Sequence, residues 1–324
     1  MSSTTSKCFN RLLFGLTDSL LRTVGAWGRR QRTYLKQKRW KSILDTDAPT
    51  SQASLNRILG IIASLSGLLE DSDRIRADQA ATPSANQDEA ISFRNHLVEF
   101  VGELFIWRWD WECIHPQGAS EITVDPTVSL SVDENGIPLY RTVFFYSGIH
   151  QGKQLLIYNS ALLVALELAN GWNVEDAPRL ALSNVRNQGQ PSRSNPLVLP
   201  YHALSSLEVY SEICRSIEYF LQEPHATVGA MFLLYLLRLL LNPPRVSMHR
   251  GWLSRITKTV ADVCGAELSE ESNAPWLPAE DVRNVGAPSA PPSTSAWQNI
   301  TQVPKCLLST SVTKLWPKMG LAWR

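Results

Sequence analysis

Cysteine clusters of the kind that bind metal ions are missing from this sequence of 324 residues. Its five cysteines are scattered, and no two lie closer than 42 residues, which is far beyond the spacing of paired zinc ligands. An odd and scattered set is typical of a reduced compartment rather than of a disulfide scaffold. We therefore predict no metal ligands. Cys214 and Cys264 fall in apolar helical patterns and are expected to be buried.

Long apolar runs are also missing. Arg11 and Asp18 interrupt the early apolar residues, so no secretory signal is predicted. Residues 228–241 carry one charge, Arg238, in fourteen residues, whereas a membrane span needs about 20 apolar residues. This stretch predicts a buried helix and no membrane insertion. Arg238 is expected to reach a helix end or to pair with a buried acid such as Glu218, and contact with a ligand or partner helix is the alternative.

Motifs for catalysis are the third absence. The sequence has no G-x-S-x-G, no H-E-x-x-H and no dinucleotide fingerprint. Residues 148–153 have one residue too few between their glycines for a phosphate loop, and Gln154 stands where a hydroxyl is required. Cys113 and His115 have no further ligand placed by sequence. We predict no catalytic, cofactor-binding or metal-binding residue and no enzyme activity; a helical enzyme or ligand-binding protein with a dispersed site is the alternative.

Basic residues are present but unevenly distributed. Ten of the 31 Lys and Arg residues, and one of the 30 acidic residues, precede residue 42, so a basic arm is followed by a body of about −8. Clustered cations bind acidic importin grooves and polyphosphates by the same attraction, so nuclear import and phosphate contact are both candidate roles. A mitochondrial presequence and a solvated segment are the alternatives. The residues of this basic arm are Arg29, Arg30, Arg32, Lys36, Lys38, Arg39 and Lys41.

Apolar residues recur at helical spacing over most of the chain, which predicts an all-α protein. The period breaks near residues 121–147, where a small β-hairpin and an extended loop are both open. Residues 71–87 are expected to form a mobile link and residues 174–199 a loop. The predicted divisions are a basic arm with an amphipathic helix over 1–48, a large multi-helix domain over 49–265 and a Pro/Ser-rich, largely disordered tail over 266–324.

Two sets of side chains are expected at the interior. A long helix from about residue 88 carries an apolar stripe that includes Arg108, whose side chain is expected to lie along a surface with its stem buried. Four later helices place eight apolar side chains on facing sides. These are Leu156, Leu163, Ile213, Ile217, Phe232, Leu236, Trp252 and Ile256.

Several short segments follow one another in a recognisable order. They are Leu-x-x-Trp-x-Trp at 104–109, Thr-x-Phe-Phe at 142–145, Tyr-Asn-x-Ala-Leu at 158–162, Glu-Ile-Cys-Arg-Ser-Ile at 212–217 and Trp-Leu-x-x-Ile at 252–256. With a leucine-isoleucine helix before them and a Leu-Arg-Leu helix around Arg238, they make residues 40–265 resemble the regulatory domain of fungal binuclear zinc-cluster transcription factors.

The resemblance implies a nuclear transcription regulator with protein partners, of a family that often controls biosynthetic gene clusters of secondary metabolism. In that family, six cysteines within about thirty residues hold two zinc ions and place a helix in the major groove. Here only Cys8 precedes Cys113, so zinc-cluster DNA recognition is not carried over and no sequence-specific DNA binding by the chain itself is predicted. The chain is then a regulator without its own DNA-binding domain, a shortened relative, or a truncated non-functional regulator. A cytoplasmic location and homo-oligomerisation stay open.

Overall fold

The structure is a computed structural model that describes residues 27, 30, 50–81, 87–185, 195–200, 202, 205–240 and 249–264. All of these residues belong to one compact unit, which comprises residues 1–268 and 275–277; the second unit lies outside the described ranges. About 70% of the described residues are helical, and the predicted all-α class is confirmed. The predicted tail and most of the predicted arm lie outside the described residues.

The first two helices are separated by a single turn. α1 spans Thr50–Ile62 and α2 spans Leu65–Ala81. The prediction of a mobile link over 71–87 is wrong as far as residue 81, and residues 82–86 lie outside the described ranges. The second half of α2 is polar, so its helix depends on contacts with the rest of the core rather than on an apolar stripe of its own.

Trp172 supplies those contacts. Its indole Nε1 donates to Ser72 Oγ at 2.8 Å, and both side chains are buried. The Arg76 guanidinium lies 5.5 Å from the centroid of the Trp172 ring and donates to the carbonyl of Gly171 at 2.8 Å. Ile75, one turn from Ser72, is also buried. Tertiary contacts therefore fix a segment whose composition alone indicates a linker.

A 28-residue helix and a two-stranded sheet follow. α3 spans Gln87–Ile114, and its apolar face is buried along its whole length. β1 (Ala119–Thr123) pairs antiparallel with β2 (Thr142–Tyr146), with Ala119 opposite Tyr146. The sequence left a β-hairpin and an extended loop open for this region, and the structure forms a small antiparallel sheet. The two strands are joined by an irregular loop over residues 124–141 rather than by a tight turn.

The central helix is α4, Ile149–Gly171, which is buried on nearly every side. A short helix, α5 (Ala177–Val185), then packs on α3, with Ala181 Cβ 4.0 Å from the Cβ position of Gly102. The prediction of a loop over 174–199 is therefore wrong for α5. Small residues at 102 and 181 let the two backbones approach closely, and this docking stabilises a nine-residue helix that is too short to be stable alone.

Three amphipathic helices complete the described fold. α6 spans Ser206–Leu221, α7 spans Ala226–Leu240 and α8 spans Arg250–Cys264. Ser205 and Glu208 form a capping box at the start of α6. At the crossing of α6 and α7, a Cβ on Gly229 would lie 1.9 Å from the carbonyl oxygen of Phe220, so only glycine fits this approach.

The predicted interior is largely confirmed. Seven of the eight side chains expected at the interior are buried, and Phe232 is the exception because it is only partly buried. The ring of Phe232 faces the amine of Lys153, 4.3 Å from the ring centroid, at the edge of the apolar core. Within the part of the chain that the structure describes, no helix combines the length and apolar character needed to cross a membrane.

Candidate functional site

α3 brings one ion pair into the protein interior. Arg108 Nη1 donates to Glu112 Oε2 at 2.7 Å, one helical turn apart, and both side chains are essentially inaccessible to solvent. The prediction that Arg108 lies along a surface with its stem buried is wrong, because the whole side chain is buried. Because Arg108 belongs to the apolar stripe of α3, it is buried together with that stripe. Its guanidinium group contacts Glu112 and the Trp111 ring, 5.1 Å away, in place of water.

α6 contributes a second buried acid. Glu212 is 2% exposed, and its Oε1 accepts from Asn159 Nδ2 on α4 at 2.9 Å. Its Oε2 accepts from the backbone N–H of Val198 at 2.6 Å. Burial raises the pKa of Glu212, while the Arg108 guanidinium and these two donors act in the opposite direction.

Residues 195–200, which we call the strap, connect the two acids. Asn195 Nδ2 donates to Glu112 Oε1 at 2.9 Å and to the carbonyl of His115 at 2.7 Å. Asn195 Oδ1 in turn accepts from the backbone N–H of Ala119 at 3.0 Å. Since Val198 is bonded to Glu212, the strap is fastened to both buried carboxylates. We call Arg108, Glu112, Asn159, Asn195 and Glu212 the central polar cluster.

Aromatic side chains surround this cluster. Trp107 stacks on Tyr158 with ring centroids 5.5 Å apart, and its Nε1 donates to the carbonyl of Ser54 at 2.9 Å. Trp111 Nε1 donates to Gln154 Oε1 at 2.8 Å. Burial raises the pKa of Tyr158, so its phenol stays protonated. The cluster is therefore a polar centre within an apolar, aromatic shell.

Hydroxyl groups extend the polar contacts from the cluster towards the sheet. Tyr146 Oη and Ser216 Oγ are 2.6 Å apart, and Ser216 Oγ also donates to the carbonyl of Glu212 at 2.7 Å. Arg215 lies on the outer side, with its guanidinium 3.8 Å from the Phe144 ring centroid. Thus α6 joins the cluster to β2 through side-chain hydrogen bonds.

The hydrogen bonds of the cluster are not evenly satisfied. All four carboxylate oxygens of Glu112 and Glu212 accept from a donor. Among the described residues, Arg108 Nε and Nη2 and Tyr158 Oη have no hydrogen-bond partner although each is buried. The cluster thus has surplus donors. Both acids are hydrogen-bonded and shielded from solvent, and the unpartnered donors beside them suit binding of an oxygen acceptor.

Sequence reasoning did not find this site. Glu112, Asn159, Asn195 and Glu212 were not candidates, although two signals were available. Arg108 and Glu112 stand at i and i+4 within an apolar stripe, the spacing of a helical ion pair. Glu212 stands one turn after Val209 and directly before Ile213, two apolar residues of the helix, which places it near the buried face of α6.

The segments singled out in the sequence have ordinary structural roles. Residues 148–153 form the start of α4. Cys113 is exposed at the end of α3, whereas His115 packs on Trp111 with ring centroids 5.1 Å apart, and burial lowers its pKa. In the described ranges, no group of three or more His, Cys, Asp and Glu side chains is arranged to hold a metal ion.

The predicted burial of the two helical cysteines is confirmed for one of them. Cys214 on α6 is fully buried, and burial raises its thiol pKa to about 12. Cys264 is only partly buried because it is the last residue of α8.

Arg30 is the one residue of the basic arm that the structure describes. It forms an ion pair with Asp73 on α2, and its backbone N–H donates to the carbonyl of Trp27 at 2.9 Å. Trp27 is itself buried, with its indole donating to the carbonyl of Ile62 at 3.3 Å. The other six residues, Arg29, Arg32, Lys36, Lys38, Arg39 and Lys41, lie outside the described ranges.

The side chain of Arg238 also lies outside what the structure describes, so its predicted pairing stays a prediction. Glu218, the suggested partner, accepts a hydrogen bond from Ser129 Oγ. Comparison of the chain with protein-family models, with curated proteins and with solved structures found no match.

Proposed function

We propose that this chain is a transcription regulator of the fungal zinc-cluster type that acts in the nucleus without a DNA-binding domain of its own. Its helical body would receive a signal or a protein partner and modulate an associated DNA-binding protein, with a biosynthetic gene cluster as the target. The proposal rests on the resemblance of the short segments between residues 104 and 256 to that family.

One structural observation supports it. The segments that carry the resemblance are distant in sequence, yet the residues at 104–109, 158–162 and 212–217 meet at the central polar cluster. Arg108 belongs to the first segment, Tyr158 and Asn159 to the second, and Glu212 to the third. Three of the segments that resemble a regulatory domain therefore contribute to one shared interior centre rather than to separate surface features.

A reporter assay tests the regulatory role. The full chain is fused to an unrelated DNA-binding domain and expressed with a reporter gene in fungal cells. We expect transcription to change relative to the DNA-binding domain alone, and we expect Leu163→Asp, which puts a charge in the core, to abolish the change. An unaltered reporter level, with the fusion folded and nuclear, would refute the proposal.

Localisation is tested separately. We expect a fluorescent fusion to accumulate in the nucleus and to lose that accumulation when the seven cations of the basic arm are replaced by Gln. The matched control replaces Arg94, Arg179 and Lys258, which are exposed on the helical body. Mitochondrial accumulation of the wild type would support the presequence alternative instead, and retention of the arm variant in the nucleus would show that the arm is not the signal.

The proposal also predicts the absence of sequence-specific DNA binding by the isolated chain. The body after the arm is net negative, so any affinity should come from the arm and fall steeply with salt. Arg30 is paired with Asp73, and we expect its replacement to weaken DNA binding less than that of the other arm residues. A competition assay at physiological salt measures this. Nanomolar binding to one sequence that survives neutralisation of the arm would contradict the prediction.

A further inference from the structure

Among the described residues, Arg108 has a hydrogen-bond partner on one edge of its guanidinium group and none on the other. Its Nη1 donates to Glu112, whereas its Nε and Nη2 have no hydrogen-bond partner among the described residues, and its side chain is 0% exposed. The ring of Trp111 attracts the cation but supplies no oxygen acceptor for these N–H groups. Burying donors of a charged group without an acceptor is unfavourable, so this edge requires an acceptor.

The two free nitrogens determine what kind of acceptor fits. In a planar guanidinium group, the N–H bonds of Nε and Nη2 on their shared edge run parallel and form a fork. This fork matches the two oxygens of a carboxylate, whereas a single carbonyl oxygen satisfies only one of its bonds. The two unpartnered N–H groups of Arg108 are therefore the pair that can bind a carboxylate in bidentate fashion.

Tyr158 provides a third donor. It is 2% exposed, and its Oη is buried without a hydrogen-bond partner. Tyr158 lies beside this part of α3, because its ring stacks on Trp107, the residue directly before Arg108. Trp107, stacked on Tyr158, makes the adjoining surface aromatic. A ligand held here would have a polar head and an apolar remainder.

We propose that Arg108 and Tyr158 bind the carboxylate group of a small apolar monocarboxylic acid inside the helical body. Glu112 and Glu212 do not occupy this position, since neither carboxylate forms a hydrogen bond with Arg108 Nε or Nη2. A phosphate group is disfavoured because its additional charge would lie near both acids. The regulatory meaning of such a ligand rests on the proposed function, whereas its binding does not.

The strap gives a route for entry. Its hydrogen bonds to the two acids, from Asn195 to Glu112 and from Val198 to Glu212, can be exchanged for bonds to water, although its opening would also expose the buried Leu197 and Leu199. We expect Asn195→Ala to accelerate both association and release of the ligand. A ligand site reached through a strap that is bonded to the same cluster explains how a fully buried arginine is accessible to a small molecule.

The first test measures binding of sodium benzoate to the purified full chain by calorimetry and by the shift in melting temperature, with benzamide as the neutral control of the same shape. We expect benzoate, but not benzamide, to bind and to raise the melting temperature. Tyr158→Phe should weaken benzoate binding about fivefold, the value of one hydrogen bond. The chain should stay folded, because the Tyr158 hydroxyl has no hydrogen-bond partner among the described residues.

The matched control is Tyr146→Phe. This change removes a hydroxyl that is bonded to Ser216 in the same interior, so it should lower the melting temperature and leave the affinity for benzoate unchanged. A second readout is the Nε–H resonance of Arg108 in nitrogen-15 spectra, assigned by its loss in Arg108→Lys, which should shift on addition of benzoate.

The proposal is refuted if benzoate shifts neither the melting temperature nor the Arg108 resonance. In that case the Arg108 and Tyr158 donors would be bonded to water rather than to a ligand. Equal binding of benzamide, or equal affinity in Tyr158→Phe, would refute it as well. These results do not depend on transcription. Benzoate binding with an inactive reporter would support the ligand site and reject the proposed regulatory function. An active reporter without benzoate binding would support the regulatory function and reject the ligand site.

Discussion

The clearest energetic prediction concerns Lys153 on α4. Its side chain is 6% exposed, and its amine lies 4.3 Å from the centroid of the Phe232 ring. None of the ion pairs found among the described residues includes it. Burial lowers the pKa of Lys153 from 10.5 to about 8, because the charged form loses its hydration and gains only an aromatic face in return.

The size and direction of the effect follow from that pKa. Lowering a pKa from 10.5 to about 8 corresponds to roughly 3 kcal/mol between the charged and neutral forms. Below pH 8 the amine is protonated in both the folded and unfolded chains, so the folded state carries the full cost. Between pH 8 and 10.5 the folded chain releases its proton first, and its stability rises with pH; above that range the cost is gone.

We therefore expect Lys153→Met to stabilise the protein by about 1–3 kcal/mol near neutral pH, and we expect this advantage to vanish near pH 10.5. Urea unfolding of both proteins across this range measures the difference. Other alkaline titrations, including those of Cys214 and Tyr146, occur in both proteins and cancel. His150, whose pKa is lowered by burial and by Lys153, titrates mainly below this range.

Lys258→Met on α8 is the control, since Lys258 is exposed, and its effect should stay near zero at every pH. If Lys153→Met destabilises the protein by 1 kcal/mol or more at about pH 7, with no dependence on pH, the reasoning is wrong. The contact between the amine and the Phe232 ring would then outweigh the loss of hydration.

Three further predictions test other parts of the interior. Trp172→Phe should lower the free energy of unfolding by about 1–3 kcal/mol because it leaves the buried Ser72 hydroxyl without its donor, and adding Ser72→Ala should recover part of that loss in a double-mutant cycle. Leu236→Ala should cost about 2–5 kcal/mol and Phe232→Ala less, because Leu236 is 3% exposed and Phe232 is only partly buried; equal costs would show that the ring is packed. Cys214 should react with iodoacetamide only after unfolding, while the exposed cysteine of α3 reacts in the native protein, and modification of both at equal rates would contradict the burial.

The helical architecture was accessible from sequence because most helices have an apolar face of their own. The period of 3.6 residues found α1, α3, α4 and α6 to α8, and it correctly placed seven of eight core side chains. It failed for the second half of α2 and for α5, where the local sequence is polar or short. The second half of α2 is helical because Trp172 binds it, and α5 is helical because it packs closely on α3 at Gly102. Such contacts between distant residues leave no periodic signal in the sequence.

The central polar cluster was inaccessible for a related reason. Only the pair Arg108 and Glu112 lies within one helix, and its spacing was visible. Asn159, Asn195 and Glu212 come from three other segments, and the sequence does not specify the relative rotation of α3, α4 and α6 that brings them together. An arginine in an apolar stripe was therefore assigned to the surface, which is the common outcome for a side chain with a long apolar stem.

The cluster is difficult to explain as a stabilising feature alone. Replacing a buried ion pair with apolar side chains is often neutral or stabilising, and the strap could be held by leucines such as Leu197 and Leu199, which are already buried. An arginine retained only for its pairing with Glu112 would be expected to have its second edge satisfied by the protein as well. Instead each carboxylate oxygen of the two acids accepts a hydrogen bond. Arg108 Nε and Nη2 and Tyr158 Oη, which can all donate, have no partner among the described residues. Ordering the strap accounts for the acids, whereas the described residues supply no acceptor for the donors, and we therefore assign the donors to a bound ligand.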